Sequence, residues 1–427
     1  MDAGRAREGS AKRQSSLVAL TIHADLLRGT IRSAPMMSMV QSLPGVHFRI
    51  LTATSDKGAD PGEWPQNVSF VVNTALVGRL EERIPSPISQ LFRIGLEIAQ
   101  AVRFRRSVRR QSFDLVHVHM GMETEGLLRV GNRTGLRGLW VVARWLNDFA
   151  WTKKPVLFTD HGLFSRRTEF GYANPLHEGD LAATTAYQNV ICVTSDGFRY
   201  LRGHDERAQV TRRRWFVPNG VETTRFAFAP IPDDSTLKVG YAGRLFRSGE
   251  PREFLLEIAR SVPEGVELRM ALATSLREEE LRARWFPGPR IRMLRNVPYE
   301  SMPEFYRSID LFFNPMLWGL IDRTTLEAMS CARPVVMFNN ADRDPVTEET
   351  GYLIPPSDPQ ALLDLLLHLK NNRQDLATKG ARARAIILER FDQGTVGKQI
   401  ETIYRELTSR SRGAPEQSGR GRGFGGT

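Results

Sequence analysis

Residues 318–336 read WGLIDRTTLEAMSCARPVV. The second half reads as a helix that passes into a strand, with the carboxylate of Glu327 near the helix start. The first half is a bulky apolar run closed by Asp322 and Arg323 side by side. A helix feeding a short apolar strand is the repeating unit of an open parallel sheet, so the rest of the chain is to be read for the same alternation.

That alternation extends in both directions. SLVALTIHA, VHFRILTAT, VSFVVNT, FDLVHVH, PVLFTDH, NVICVTS and RWFVPNG read as strands in the first half, with helical patterns such as SPISQLFRIGLEIAQAVRFRRSVRRQ between several of them. Around residues 226–236 the pattern breaks in AFAPIPDDSTL, rich in Pro and Asp, which reads as a linker. KVGYAGR, VELRMALAT, RIRML, IDLFFNP, RPVVMF and GYLIPP then repeat the alternation. The fold class expected is α/β, two Rossmann-like domains in tandem. Ser275 and Glu278 have capping-box spacing ahead of a helix. Asp358 followed by Pro359 reads as an N-cap with proline in the first turn. The expected division is a leader over 1–15 without fixed structure, a first domain over 16–226 and a second over 236–395. A closing helix over 396–410 and a Gly/Arg-rich tail over 411–427 without fixed structure follow.

Composition agrees with this reading. A chain of 427 residues suits two or three domains, and 41% apolar residues can fill sizeable cores. Cys192 and Cys331 are the two cysteines. They form no C-x-x-C pattern and sit in apolar or helical surroundings, which reads as core packing in a reducing cytoplasm. No apolar run has the length of a membrane-spanning helix. The net charge of +11 and pI of about 10.0 allow an anionic partner: a phosphate-bearing substrate, an acidic membrane surface or nucleic acid.

Ligands of open parallel sheets bind beyond the carboxyl ends of the strands. The residues there include Gly29, His117, His119, His161 and Gly162 in the first half, and Gly243, Arg244 and the 319–327 segment in the second. In this order FDLVHVH, PVLFTDHG, NVICVTS, FVPNGVETTRF, VGYAGRL, LEAMSCARPVV and GYLIPPSDPQAL resemble the two-domain, GT-B-fold glycosyltransferases of the large group 1 (family 4) retaining class. The pieces span residues 113 to 370, and RFDQGTVGKQIETIYREL resembles the closing helix of that family.

The resemblance implies a metal-independent hexosyltransferase that moves a sugar from a nucleotide diphosphate donor with retention at the anomeric carbon. It implies Arg244 at the donor diphosphate, where a planar guanidinium suits paired oxygens. A second cation, a lysine in the family, is Gly249 here, and Arg247 is its nearest replacement. Glu327 is implied at the ribose hydroxyls, as an acceptor for two neighbouring O–H donors; its spacing from Thr324 also fits a capping box on its own helix. The amides at Thr324 and Thr325 open that helix toward the phosphates. His161 is implied beside the transferred sugar, and Gly29, with Gly243, lets donor and backbone approach closely. The family's first glutamate, eight residues before Glu327, is Gly319 here. Asp322 is the candidate replacement as acceptor for sugar hydroxyls, with Arg323 in place of the missing cation at the phosphates. Alternatively, Asp322 and Arg323 only complete the helix entry.

Two carboxylates in Asp342-Arg343-Asp344 and two imidazoles in His117-Val118-His119 have metal-binding spacings, but both read as loop and strand end. The acceptor expected is a glycan, a lipid-linked sugar or a small molecule. Arg103, Arg105, Arg106, Arg109 and Arg110 either balance a helix C-terminus or dock on anionic lipid, which would make the protein cytoplasmic and peripheral. Nucleic acid is the remaining charge-based reading and is not expected. A nucleotide-sugar epimerase or hydrolase of the same architecture, and a non-catalytic member that binds glycans or partners, are the competing functions.

Overall fold

The computed structural model describes residues 17–22, 39–54, 65–74, 102, 105–119, 149–160, 187–232, 234–244, 252–315, 322–339, 343–356 and 358–413. Each apolar run read as a strand is one. The first sheet contains β1 (Leu17–Ile22), β2 (Val46–Thr54), β3 (Val68–Thr74), β4 (Leu115–Val118), β5 (Val156–Asp160), β6 (Asn189–Cys192) and β7 (Arg213–Phe216). Its order is β3-β2-β1-β4-β5-β6-β7, and every neighbouring pair is parallel. The second contains β8 (Leu237–Arg244), β9 (Val266–Ala273), β10 (Ile291–Arg295), β11 (Leu311–Asn314), β12 (Val335–Phe338) and β13 (Gly351–Ile354). Its order is β10-β9-β8-β11-β12-β13, again parallel throughout.

Parallel strands need crossovers, and the described helices supply them. They are α1 (Ser195–Arg207), α2 (Arg252–Arg260), α3 (Glu278–Arg284), α4 (Met302–Arg307), α5 (Arg323–Ser330), α6 (Pro359–Asn371), α7 (Arg373–Ile386) and α8 (Gln393–Gly413). Alternate strand residues feed opposite faces, as the pleat requires. In the first sheet Leu115, Leu157 and Ile191 join one core cluster while Val116, Phe158 and Val190 join the other. In the second, Phe313, Val336 and Phe338 face one cluster and Phe312, Val335 and Met337 the other. Cys192 and Cys331 are both buried free thiols within these cores.

The closing helix returns to the first sheet. Val396, Ile400, Ile403, Tyr404 and Leu407 of α8 form one helical stripe packed with Ala19, Leu115 and Leu157. Each aliphatic residue of that stripe is worth on the order of 2 kcal/mol. Gly397 allows the approach, since a Cβ there would lie 2.6 Å from the Ser42 side chain. The outward and return crossings of the chain lie together: Val221 bridges to Asp392, and the Thr223 hydroxyl donates to Asp392 Oδ2 at 2.6 Å.

The segment read as a linker is tied down. Phe226 is fully buried. The Arg333 guanidinium, fully buried as well, donates to the carbonyls of Tyr306, Ala229, Arg307 and Pro230 at 2.9, 2.9, 3.1 and 3.3 Å. Asp358 caps α6 as expected, accepting from Ala361 N at 3.0 Å, with Pro359 in the first turn. The capping box expected at Ser275 and Glu278 is displaced. Glu280 reaches back to the Arg277 amide at 2.8 Å, so α3 starts later, and Thr274 Oγ1 takes the Leu276 amide in a turn before it. α8 runs on to Gly413, so the first three residues read as tail are helical; the leader and residues 414–427 lie outside the described residues.

Candidate active site

In each sheet the strand order reverses once. The reversal falls between β1 and β4 in the first sheet and between β8 and β11 in the second. A crevice opens at such a reversal, because the connections on its two sides leave in opposite directions. Gly243 and Arg244 end β8. Val239 and Gly240 pair with Leu311 and Phe312, so in this register β8 carries Arg244 past the end of β11. Gly243 is half-buried. α5 begins on the other side of the crevice, shortly after β11.

The start of α5 answers the question its sequence poses. Asp322 is the N-cap: its Oδ1 accepts from the Thr325 amide at 3.0 Å, the Thr325 hydroxyl at 2.9 Å and the Thr324 hydroxyl at 2.8 Å. The Thr325 hydroxyl also accepts from Asn314 Nδ2 at 2.8 Å, fastening the helix start to the end of β11. The capping box drawn between Thr324 and Glu327 is not formed, because the helix starts two residues earlier with Asp322 as N-cap, which leaves Thr324 inside the first turn. The Thr325 N–H is therefore spent inside the protein. Arg323 and Thr324 supply the amides of this first turn that Asp322 does not take.

Glu327 instead lies on the buried face of α5, 3% exposed. The Tyr306 hydroxyl donates to its Oε2 at 3.0 Å, and Arg323 Nη2 lies 3.5 Å from Oε1. Burial pushes its carboxyl up to about 7, with Asp322 adding to the rise, while Arg323 and the Tyr306 and Tyr299 hydroxyls pull the other way. Arg323 turns inward. It donates to the Tyr299 hydroxyl at 2.7 Å and lies over the Tyr299 ring at 5.3 Å. Arg225 lies over the same ring at 5.4 Å, and Phe226 meets it edge-on. The arginine expected to face phosphates thus serves the carboxylate.

Residues 236–372 match the family model of the group 1 glycosyl transferases. The second half of the chain carries a group 1 glycosyl transferase domain. Lipopolysaccharide core biosynthesis mannosyltransferase LpsB of Rhizobium meliloti is 30% identical over 142 residues, covering 32% of this chain and 39% of that protein. Phosphatidyl-myo-inositol mannosyltransferase of Mycolicibacterium smegmatis is 26% identical over 200 residues, 45% of this chain and 52% of that protein. The chain thus spans about half or less of the curated relatives it matches. Sucrose-phosphate synthase from Thermosynechococcus elongatus superimposes with a TM-score of 0.68 at 18% identity, covering 92% of this chain and 100% of that one. Anabaena HepE in complex with UDP-glucose gives 0.62 at 17% identity, with 92% and 100% covered. At these identities the likeness is one of fold, and the fold is GT-B.

Within the glycosyl transferase domain, Arg244, Gly243, Asp322, Arg323, Thr324, Thr325 and Glu327 stand around the β8–β11 crevice. Gly29, His161, Arg247, Gly319 and Asp342 lie outside the described residues. Asp344 pairs with Arg390 in a two-pronged ion pair. His117 is fully buried, with Nδ1 2.5 Å from the Tyr404 hydroxyl and Nε2 2.7 Å from Thr159 Oγ1. Both ring nitrogens are spent, which removes the His117–His119 metal reading. Among the described residues no group of three His, Cys, Asp or Glu side chains could hold a metal. Sequence reasoning missed Tyr299, Tyr306 and Arg225. Tyr306 had a readable sign, an aromatic four residues after Met302 on a helix leading into a strand, but nothing local joins it to Glu327.

Proposed function

We propose that the protein is a retaining glycosyltransferase that moves a hexose from a nucleotide diphosphate sugar to a glycan or lipid-linked acceptor. The observation that carries this reading is that β8 ends at Arg244 beside β11, and β11 leads to the start of α5 and Glu327, all inside the stretch that matches the group 1 family. The names of the relatives support the class of partners: two are mannosyltransferases, and HepE was solved with UDP-glucose.

Arg244 would meet the diphosphate and stabilise the charge that grows on it as the sugar leaves. The Arg323 and Thr324 amides add dipoles of the same sign. Glu327 would accept the ribose hydroxyls, and His161 would stand beside the sugar. Asp322 fixes the helix start that presents these groups, and its proposed role is to position them. No side chain has to serve as nucleophile. The leaving phosphate can take the acceptor proton on the same face, which gives retention, and the protein supplies position and electrostatics. The reading assigns no step to a metal. The reading places the protein in the cytoplasm, peripheral to the membrane; among the described residues no helix is long and apolar enough to cross a membrane.

The test is turnover of UDP-glucose and GDP-mannose with glycan and lipid-linked acceptors, with and without EDTA, and anomeric assignment of the product by NMR. An α product from an α donor, insensitive to EDTA, is expected. Donor consumption that needs no acceptor would favour the hydrolase or epimerase reading. Failure of every nucleotide sugar to bind would leave a non-catalytic glycan-binding member.

A further inference from the structure

The end of the first sheet opposite the crevice is basic. Two segments meet there. Helical residues 105–109 and the turn at Arg110 lead into β4, and the short helix Ala150–Thr152 with Lys153 and Lys154 leads into β5. Arg105 and Arg109 lie over the half-buried Trp151 ring at 5.6 and 5.2 Å, which joins the two segments. Val108 packs beneath, in the core between them and the sheet. Arg106, Arg109, Arg110, Lys153 and Lys154 are all exposed. Among the described residues, no carboxylate forms an ion pair with any of these five. Elsewhere arginines commonly have such partners, as Arg212 and Arg214 do in Asp205, and Arg405 in Glu401. The acid nearest in sequence, Asp114, is directed at the Val18 amide, which donates to it at 3.0 Å.

Unpaired like charges held on one surface repel each other, and the fold gains nothing from them. We propose that this end of the first domain docks on an anionic lipid surface. Cations at several points, with no acid interleaved among the described residues, match a plane of headgroup phosphates. Single-stranded nucleic acid is matched less well, because it is held by bases stacked on open aromatic faces, and guanidinium groups already cover Trp151.

The parallel sheet then sets the orientation. The basic segments precede β4 and β5, whereas the crevice lies at the carboxyl ends. The six residues of β1, which flanks the crevice with β4, span roughly 20 Å at about 3.3 Å each. Docked this way, the enzyme holds its crevice that far from the headgroups. On the glycosyltransferase reading, it would act on the outer sugar of an extended lipid-linked glycan rather than on a short glycolipid headgroup. The docking itself does not depend on that reading.

Flotation of the full chain with phosphatidylcholine vesicles, with and without phosphatidylglycerol, tests the surface. The wild type should float only with the anionic vesicles and be released by high salt. Arg106→Glu, Arg110→Glu, Lys153→Glu and Lys154→Glu together should lower partitioning by about 100-fold or more, with melting temperature and UDP affinity unchanged. Arg106→Gln with Lys153→Gln gives a smaller loss in the same direction and serves if the reversed variant does not fold. A wild type that does not float, variants that float as well as it does, or a single-stranded RNA that binds more tightly and is not displaced by the vesicles would each overturn the proposal.

Discussion

Glu327→Gln keeps the shape of the side chain and removes its charge, so it separates the cost of that charge from its use. The carboxyl is raised from 4.5 to about 7 by burial. At about 1.4 kcal/mol per unit, the shift amounts to about 3 kcal/mol. The sign follows from linkage. Below about pH 4.5 the group is protonated in both states and the full stability is present. Between about 4.5 and 7 the unfolded chain gives up the proton while the folded chain keeps it, so stability falls as pH rises, and above about 7 the loss is complete. Urea unfolding at about pH 5 and about pH 8 should therefore show a loss of about 3 kcal/mol in the wild type that glutamine largely abolishes. Glutamine still accepts from the Tyr306 hydroxyl, so the fold survives.

Donor binding should move the opposite way. If ionised Glu327 accepts the ribose hydroxyls, wild-type affinity for UDP or GDP rises with pH through about 7 and approaches that of the glutamine variant in acid. Above that pH, loss of a charged acceptor costs about 1.5–3 kcal/mol, roughly a 10- to 150-fold weaker complex. Calorimetry across the same pH range measures both curves. Equal affinities for wild type and variant at every pH would show that Glu327 is a buried structural acid and not a ribose ligand.

Three further changes probe the rest of the site and its support. Arg244→Ala should weaken nucleoside diphosphate binding by about 10- to 100-fold with unfolding unaffected; unchanged calorimetric affinity removes Arg244 from the phosphate site. Asp322→Asn preserves an N-cap, so the melting temperature should hold. If the carboxylate positions the sugar end of the site, turnover should fall by one to two orders of magnitude, about 1.4–2.8 kcal/mol, while nucleoside diphosphate affinity barely moves; near wild-type turnover would place the sugar contacts elsewhere. Gly380→Ala would put a Cβ 2.2 Å from the Ala332 carbonyl oxygen, a forced shift worth about 1–3 kcal/mol, and an unchanged melting temperature would contradict the close packing of α7 on the turn after α5.

What the sequence determined by itself is what short-range chemistry controls. Apolar runs of four to nine residues between polar and glycine-rich breaks became β1 to β13, because a strand buried on both faces leaves a continuous apolar signature. Asp358-Pro359 was readable as a helix start because both of its determinants are local. The same locality misled at Ser275–Glu278, where a second acid, Glu280, has the same spacing from Arg277 and takes the Arg277 amide instead. Arg244 and the start of α5 were placed at strand ends by pattern alone.

Tertiary structure decided what those residues touch. The partners of Glu327, Tyr306 and Tyr299, lie 21 and 28 residues away in sequence, on and before another helix, and no periodicity links them. Packing also chose between the two meanings of Asp322-Arg323: the acid caps, and the base turns inward to Glu327 and Tyr299. His117 looked like half of a metal site until α8 brought Tyr404 from the far end of the chain to its ring. A spacing within the sequence shows which groups can meet along one element. Which of them do meet is settled by the strand order and by the helix that crosses back, and both of these are set by burial summed over the whole chain.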